Sequence, residues 1–172
     1  YIGNAEWRQH EQTFDALMLT ETPSPSLTVA YAYVTRVNRV FGPDSPAGHY
    51  DSNGHLLNAV YTGLLPSLKL EGFAYLLDLR QAPTLSSATF GLRAEESADL
   101  GEGLTARLNA AYGHQSDYAD NPLRIALSDY LVEGSLVYRG FTGLAGYEVL
   151  QGNGATGFQT PLARSEEHTS EL

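Results

Sequence analysis

The sequence predicts an all-β protein: an antiparallel up-and-down transmembrane β-barrel, present in part, as about nine strands of a larger barrel. Three observations point there. In one run, Leu27, Val29, Tyr31, Tyr33 and Val37 share one face while Thr28, Ala30, Ala32, Arg36 and Asn38 share the other. A period of two means an extended strand between two unlike environments. Connectors alternate between short and long along the chain, as in barrels with tight turns at one rim and loops at the other. Finally, runs such as Ser26–Phe41 and Leu104–Ser116 exceed ordinary globular strands and suffice to cross a bilayer at a tilt, which takes about nine to eleven residues.

The elements follow in order. Ile2–Arg8 reads as a first strand, and Thr13–Glu21 as a second whose faces are both mixed, which predicts a bulge. Ser26–Phe41 is the alternating run described above. His55–Leu65 continues it, and its helical reading fails because Gly63 and Pro66 interrupt Leu56–Leu70. In Leu68–Arg80, Phe73, Tyr75, Leu77 and Leu79 form the apolar face, against Gly72, Ala74 and Asp78. In Ser87–Glu96, Phe90 and Leu92 oppose Gly91, Arg93 and Glu95. In Leu104–Ser116, Leu104, Ala106, Leu108, Ala110 and Tyr112 oppose Thr105, Arg107, Asn109, Ala111 and Gln115. Leu123–Arg139 sets Tyr130, Val132, Leu136 and Tyr138 against Glu133, Ser135 and Arg139, and Thr142–Leu150 completes the set. The short connectors are Thr22–Pro25, Leu65–Ser67, Ser97–Gly103 and Gly140-Phe141. The long ones are Gly42–Gly54, Gln81–Ser86, Asp117–Pro122 and Gln151–Pro161.

Composition fits this reading. Hydrophobic residues make up 42% of 172, enough for one domain, and mean hydropathy is −0.23, as expected when strands alternate. No run of eighteen apolar residues exists to form a membrane-spanning helix. Tyrosine outnumbers phenylalanine 11 to 6, and its apolar ring with a polar tip suits a membrane interface. Cysteine is absent, so no disulfide or thiolate metal site is possible. A net charge of −10 argues against nucleic acid as a partner. The chain opens without Met on a strand-like stretch, which reads as a truncated N-terminus. Residues 1–163 read as the partial barrel. The final RSEEHTSEL, residues 164–172, resembles a translated sequencing adapter and reads as a non-native tail.

The polar faces collect mid-strand charges beside small residues. Arg36, Asn38, Asp78, Arg93, Glu95, Arg107, Asn109, Glu133 and Arg139 are the candidate channel-lining residues. If the apolar faces meet lipid, these face water. If the fold is instead a soluble ligand-binding barrel or sandwich, the apolar faces, with Tyr31, Tyr33, Tyr75 and Tyr138, turn inward.

Other motifs yield little. Gly152–Gly157 matches a dinucleotide fingerprint, but Pro161 blocks the helix that must follow, leaving a glycine-rich loop. Asp51–Gly54 resembles the start of a calcium loop without its later acid and reads as a turn. His10, His49, His55 and His114 lack metal-ligand spacing, and Ser128-Asp129 has no base arranged around it. No catalytic residues, metal or cofactor are expected.

Several stretches resemble the alginate-export family of outer-membrane barrels: Gly3–Gln9 with Glu11–Ala16, Leu27–Gly42, Tyr75–Asp78, Tyr112–Pro122 and Gly146–Ala163. The resemblance implies a Gram-negative outer-membrane barrel, in contact with lipid and lipopolysaccharide. It also implies passive passage of small or polysaccharide solutes, including an acidic polysaccharide drawn by Arg36, Arg93, Arg107 and Arg139.

Overall fold

The computed structural model describes residues 12–154 and 156–159. The predicted strand Ile2–Arg8 and the tail 164–172 lie outside the described residues. Eight strands form one antiparallel sheet in sequence order: β1 (Thr13–Ser24), β2 (Leu27–Asn38), β3 (His49–Tyr61), β4 (Leu68–Leu77), β5 (Ser87–Gly101), β6 (Leu104–Asp117), β7 (Ala126–Tyr138) and β8 (Phe141–Leu150). One 3₁₀ turn, Pro83–Leu85, sits between β4 and β5. The architecture is an up-and-down partial barrel. No helix among the described residues is long and apolar enough to cross a membrane.

Connectors alternate strictly. One rim holds the turns at 25–26, 62–67, 102–103 and 139–140, and the other holds 39–48, 78–86 and 118–125. The tightest turns carry their own chemistry. Arg139 and Gly140 have φ of 46° and 86°, the pair of left-handed residues that a two-residue hairpin turn needs to match strand twist. Strands also run longer at the tight rim than the sequence implied. Ser97–Gly101 extends β5 and Thr22–Ser24 extends β1, while Pro23 falls where β1–β2 pairing is irregular and needs no amide donor. At the other rim, Asp51–Gly54 belongs to β3 and is not a turn. Its pairing with β2 and the Asn53 amide bond to the Asp78 carbonyl (3.0 Å) draw it into the sheet.

Register assigns every strand side chain to one of two faces. One face carries Leu17, Tyr31, Leu57, Leu92, Val132 and Tyr147, and many of its large apolar side chains are exposed, Leu92 by 67% and Tyr147 by 72%. The opposite face is sheltered, holding Val34, Leu56, Phe73, Thr89 and Gln115, each less than a tenth exposed. This is the arrangement of a curved wall with its apolar side outermost. Tyr31, Tyr33 and Tyr138 lie on the exposed face. A soluble core would have drawn all of them inward.

β4 departs from expectation. Phe73, Tyr75, Leu77 and Leu79 occupy the sheltered face, and Gly72 and Ala74 the exposed one. The reason is local packing. Leu77 and Leu79 join Val34, Val37 and Leu56 in a cluster capped by Ala82 and Leu85 of the in-folded 78–86 connector. Each such buried side chain contributes about 1.5–3 kcal/mol. The Leu79 amide is satisfied by the Ser86 hydroxyl at 2.9 Å, so the connector cannot lift away without exposing a buried donor.

Phe73 also dictates a glycine. A Cβ at Gly91 would run into the Phe73 ring and the Tyr112 carbonyl, whereas one at Gly134 would meet only the Arg107 carbonyl, 4.0 Å away. Gly91→Ala is therefore expected to cost about 1–3 kcal/mol through forced repacking. Gly134→Ala is expected to stay within about 0.5 kcal/mol. Urea midpoints of the folded barrel in vesicles check both.

Candidate functional site

The polar side chains of the sheltered face gather on β4–β7, toward the tight-turn rim. Register sets Lys69, Glu95, Asn109 and Glu133 opposite one another in a row across four strands. A second row sets Glu71 opposite Arg93, and a third sets Ser97, Arg107 and Ser135 together. The period-two alternation of each strand puts these residues on one face. The pairing offsets then align them laterally.

Their contacts are few and open to solvent. Lys69 Nζ lies 3.2 Å from Glu95 Oε2, both side chains 42% exposed, so the pair is worth at most about 1 kcal/mol. The Asn58 amide donates to Glu71 Oε1 at 2.6 Å. Asn109 Oδ1 has no hydrogen-bond donor among the described residues. Around Lys69, Glu95, Arg107, Asn109, Glu133 and Ser135 the wall bounds an open cavity of about 470 Å³.

Five of the nine predicted residues thus share this field: Arg93, Glu95, Arg107, Asn109 and Glu133. Arg36 and Asn38 do not. An irregularity at Thr35 reverses the alternation of β2, so Val34 and Val37 share the sheltered face and Arg36 moves to the exposed one. There Arg36 contacts Asp51 at 3.3 Å, and Gln81 clasps the same aspartate through its backbone amide (2.7 Å) and its carboxylate (2.9 Å). Asn38 donates to Asp15 Oδ1 at 3.2 Å. Asp78 lies between sheltered Leu77 and Leu79 and so points to the other face. Arg139 sits in the β7–β8 turn with its guanidinium 5.1 Å from the Tyr138 ring centroid. Lys69 and Glu71 were not singled out by the sequence. Their strand neighbours Phe73 and Tyr75 made that face look apolar.

Above the polar field, toward the long-connector rim, the sheltered face is crossed by chain. After β8 the backbone turns at Gly152–Gly157, where those two residues form an isolated bridge, and returns to Gln159. The glycine-rich stretch is a reversal and no helix follows it within the described residues. Gln115 of β6, fully buried, grips the returning strand with both ends of its amide. Its Nε2 donates to the Gln159 carbonyl (2.7 Å) and to Thr89 Oγ1 (2.9 Å), and its Oε1 accepts from the Gln159 amide (2.7 Å). Asn121 ties the neighbouring connectors, donating to the Ser86 carbonyl at 2.6 Å.

Two chemical alternatives can be weighed on this geometry. Among the described residues, no three His, Asp or Glu side chains converge on a metal-sized space. His114 Nδ1 does stand 3.2 Å from Ser128 Oγ on the exposed face, a neighbour the sequence did not reveal. No hydrogen bond orients the other ring nitrogen among the described residues, and the Ser128 amide is engaged by Gln151 Oε1 (3.0 Å). The pair lacks an orienting group and an oxyanion donor, so it does not form a nucleophile site.

No model of a known protein family matches the chain, and no curated protein matches it in sequence. Solved structures do match. OpdL of Pseudomonas aeruginosa superimposes with a TM-score of 0.73 at 19% identity, over 92% of this chain and 45% of that one. OccAB4 of Acinetobacter baumannii gives 0.68 at 17% identity, over 84% and 37%. OccD3 (OpdP) of Pseudomonas aeruginosa gives 0.65 at 13%, over 82% and 35%. The chain spans less than half the length of each of these structures. These neighbours are outer-membrane porins of the Opd/Occ type. At such identities the likeness establishes the fold: this chain has the architecture of part of a porin-type antiparallel β-barrel.

Proposed function

We propose that this chain forms part of the wall of an outer-membrane channel through which small polar solutes diffuse. The supporting observation is the division of faces. Exposed leucines, tyrosines and phenylalanines lie on one side of β1, β3, β5, β6, β7 and β8, continued by half-buried apolar side chains on β2 and β4, and the charged rows occupy the other side. An apolar exterior of this extent is costly in water and favourable in hydrocarbon. Porin-type neighbours support the same environment, with outer-membrane lipid and lipopolysaccharide against the exposed face. A soluble binder has no support from this geometry, because its apolar side chains would have to converge.

The cargo suggested by the resemblance to alginate exporters rested on four arginines. Arg36 faces outward and Arg139 lies in a turn, leaving Arg93 and Arg107 among more numerous acids. The proposal is therefore a channel for small charged or polar solutes, not an exporter of acidic polysaccharide.

The complete barrel containing this segment, reconstituted in a planar bilayer, is expected to give stepwise ohmic conductance and to admit small sugars in liposome swelling. A correctly folded barrel that conducts nothing and admits nothing would refute the proposal.

A further inference from the structure

Resting on the channel reading and deepening it, we infer that this wall favours cations, with amine-bearing solutes as its class, and that Glu133 and Glu148 set the preference. The argument is one of local charge balance. Each cation of the field already has carboxylates beside it. Lys69 is paired with Glu95, and Arg93 stands directly opposite Glu71. Arg107 has Ser97 and Ser135 opposite it, so Glu95, Asp99 and Glu133 surround it diagonally, about 7–8 Å away.

The acids of β7 and β8 exceed what these cations balance: Glu133 shares Arg107 with Glu95 and Asp99, and no cation of β7 stands opposite or diagonal to Glu148. Glu133 faces Asn109 on one side and Gly146 on the other, and Glu148 faces Leu131. The two glutamates are diagonal neighbours on the same face, about 7–8 Å apart. Neither makes an ion pair among the described residues. The open acceptors here are the Glu133 and Glu148 carboxylates, and the group that complements them carries several N–H donors and positive charge, as an ammonium does. Unpaired carboxylates on a polar wall raise the local concentration of counter-ions and so bias permeation toward cations.

The test is the reversal potential of the complete barrel in a KCl gradient, with swelling rates in 1,4-diaminobutane and succinate as a second readout. The double variant Glu133→Gln/Glu148→Gln is expected to lower the potassium-to-chloride permeability ratio at least twofold and to slow diamine entry relative to succinate. Arg107→Gln should move the ratio the other way. Glu21→Gln removes an acid of the exposed face, opposite Val29 and away from the cavity, and should leave it unchanged. An unaltered ratio in the double variant, or an equal shift in Glu21→Gln, overturns the assignment while the channel itself stands. A barrel without conductance overturns the channel reading and this inference with it.

Discussion

Val132→Arg is expected to destabilise the barrel in a bilayer by about 2–4 kcal/mol, while Glu133→Arg, the next residue, leaves folding within about 0.5 kcal/mol. Val132 is the middle of β7, 53% exposed, in a lateral line with Ala110 and Tyr147. On the reading proposed above it meets hydrocarbon, where a guanidinium loses its hydration and reaches no carboxylate. Position 133 looks instead onto the charged rows, where an added cation finds water, with Glu148 diagonal to it and Glu95 beyond Asn109 in the same row. Both variants carry the same new side chain on the same strand; Val132→Arg changes the net charge by +1 and Glu133→Arg by +2, so a loss confined to Val132→Arg follows the face and not the added charge. Equilibrium urea titrations in vesicles read the difference. Equal stability of the two variants would mean that the exposed face does not meet lipid, since an arginine on a water-facing surface costs almost nothing.

Much of this architecture was legible in the sequence because each strand repeats a simple alternation. The runs over β5, β6 and β7 have one apolar and one polar face, so Arg93, Glu95, Arg107, Asn109 and Glu133 could be assigned together from parity alone. Parity fails wherever something interrupts it. A single irregular residue, Thr35, sends Arg36 and Asn38 to the face opposite the one their spacing implies, and no residue type marks that position in advance. β4 failed for a different reason. Its sheltered side meets a neighbouring connector near Leu77 and Leu79 but open space near Lys69 and Glu71, so one face is apolar at one end and charged at the other. A rule that assigns each face a single character cannot represent this change along the strand. Long-range closure was also invisible. Gln115 and Gln159 are 44 residues apart, and nothing near either announces the other.

That closure leads to the second large effect. Gln115→Ala is expected to release the segment that follows β8 and to raise single-channel conductance, with more frequent fast transitions. Gln115 is fully buried, and its amide satisfies the amide and carbonyl of Gln159 together with the Thr89 hydroxyl. Truncation leaves those groups without partners in a sheltered place, at about 1–3 kcal/mol for each buried group left unsatisfied. The segment's other bonds include the Phe158 amide to the Gln151 carbonyl (2.9 Å), the Asn153 side-chain amide to the Arg124 carbonyl of the 118–125 connector (3.1 Å) and local contacts such as the Asn153 backbone amide to the Thr156 carbonyl (3.0 Å). These hold the reversal's shape and its place beside the 118–125 connector, whereas Gln115 holds the stretch at Gln159 against the wall. The sheet ladder around Gln115 pairs backbone to backbone through Thr89 and Leu127, so the barrel itself should survive. Gln115→Glu separates the two roles. It keeps an acceptor for the Gln159 amide but loses the donors to the Gln159 carbonyl and Thr89, so its conductance should fall between wild type and Gln115→Ala. If all three barrels conduct alike while urea midpoints drop, Gln115 stabilises the wall and the returning segment does not obstruct the passage.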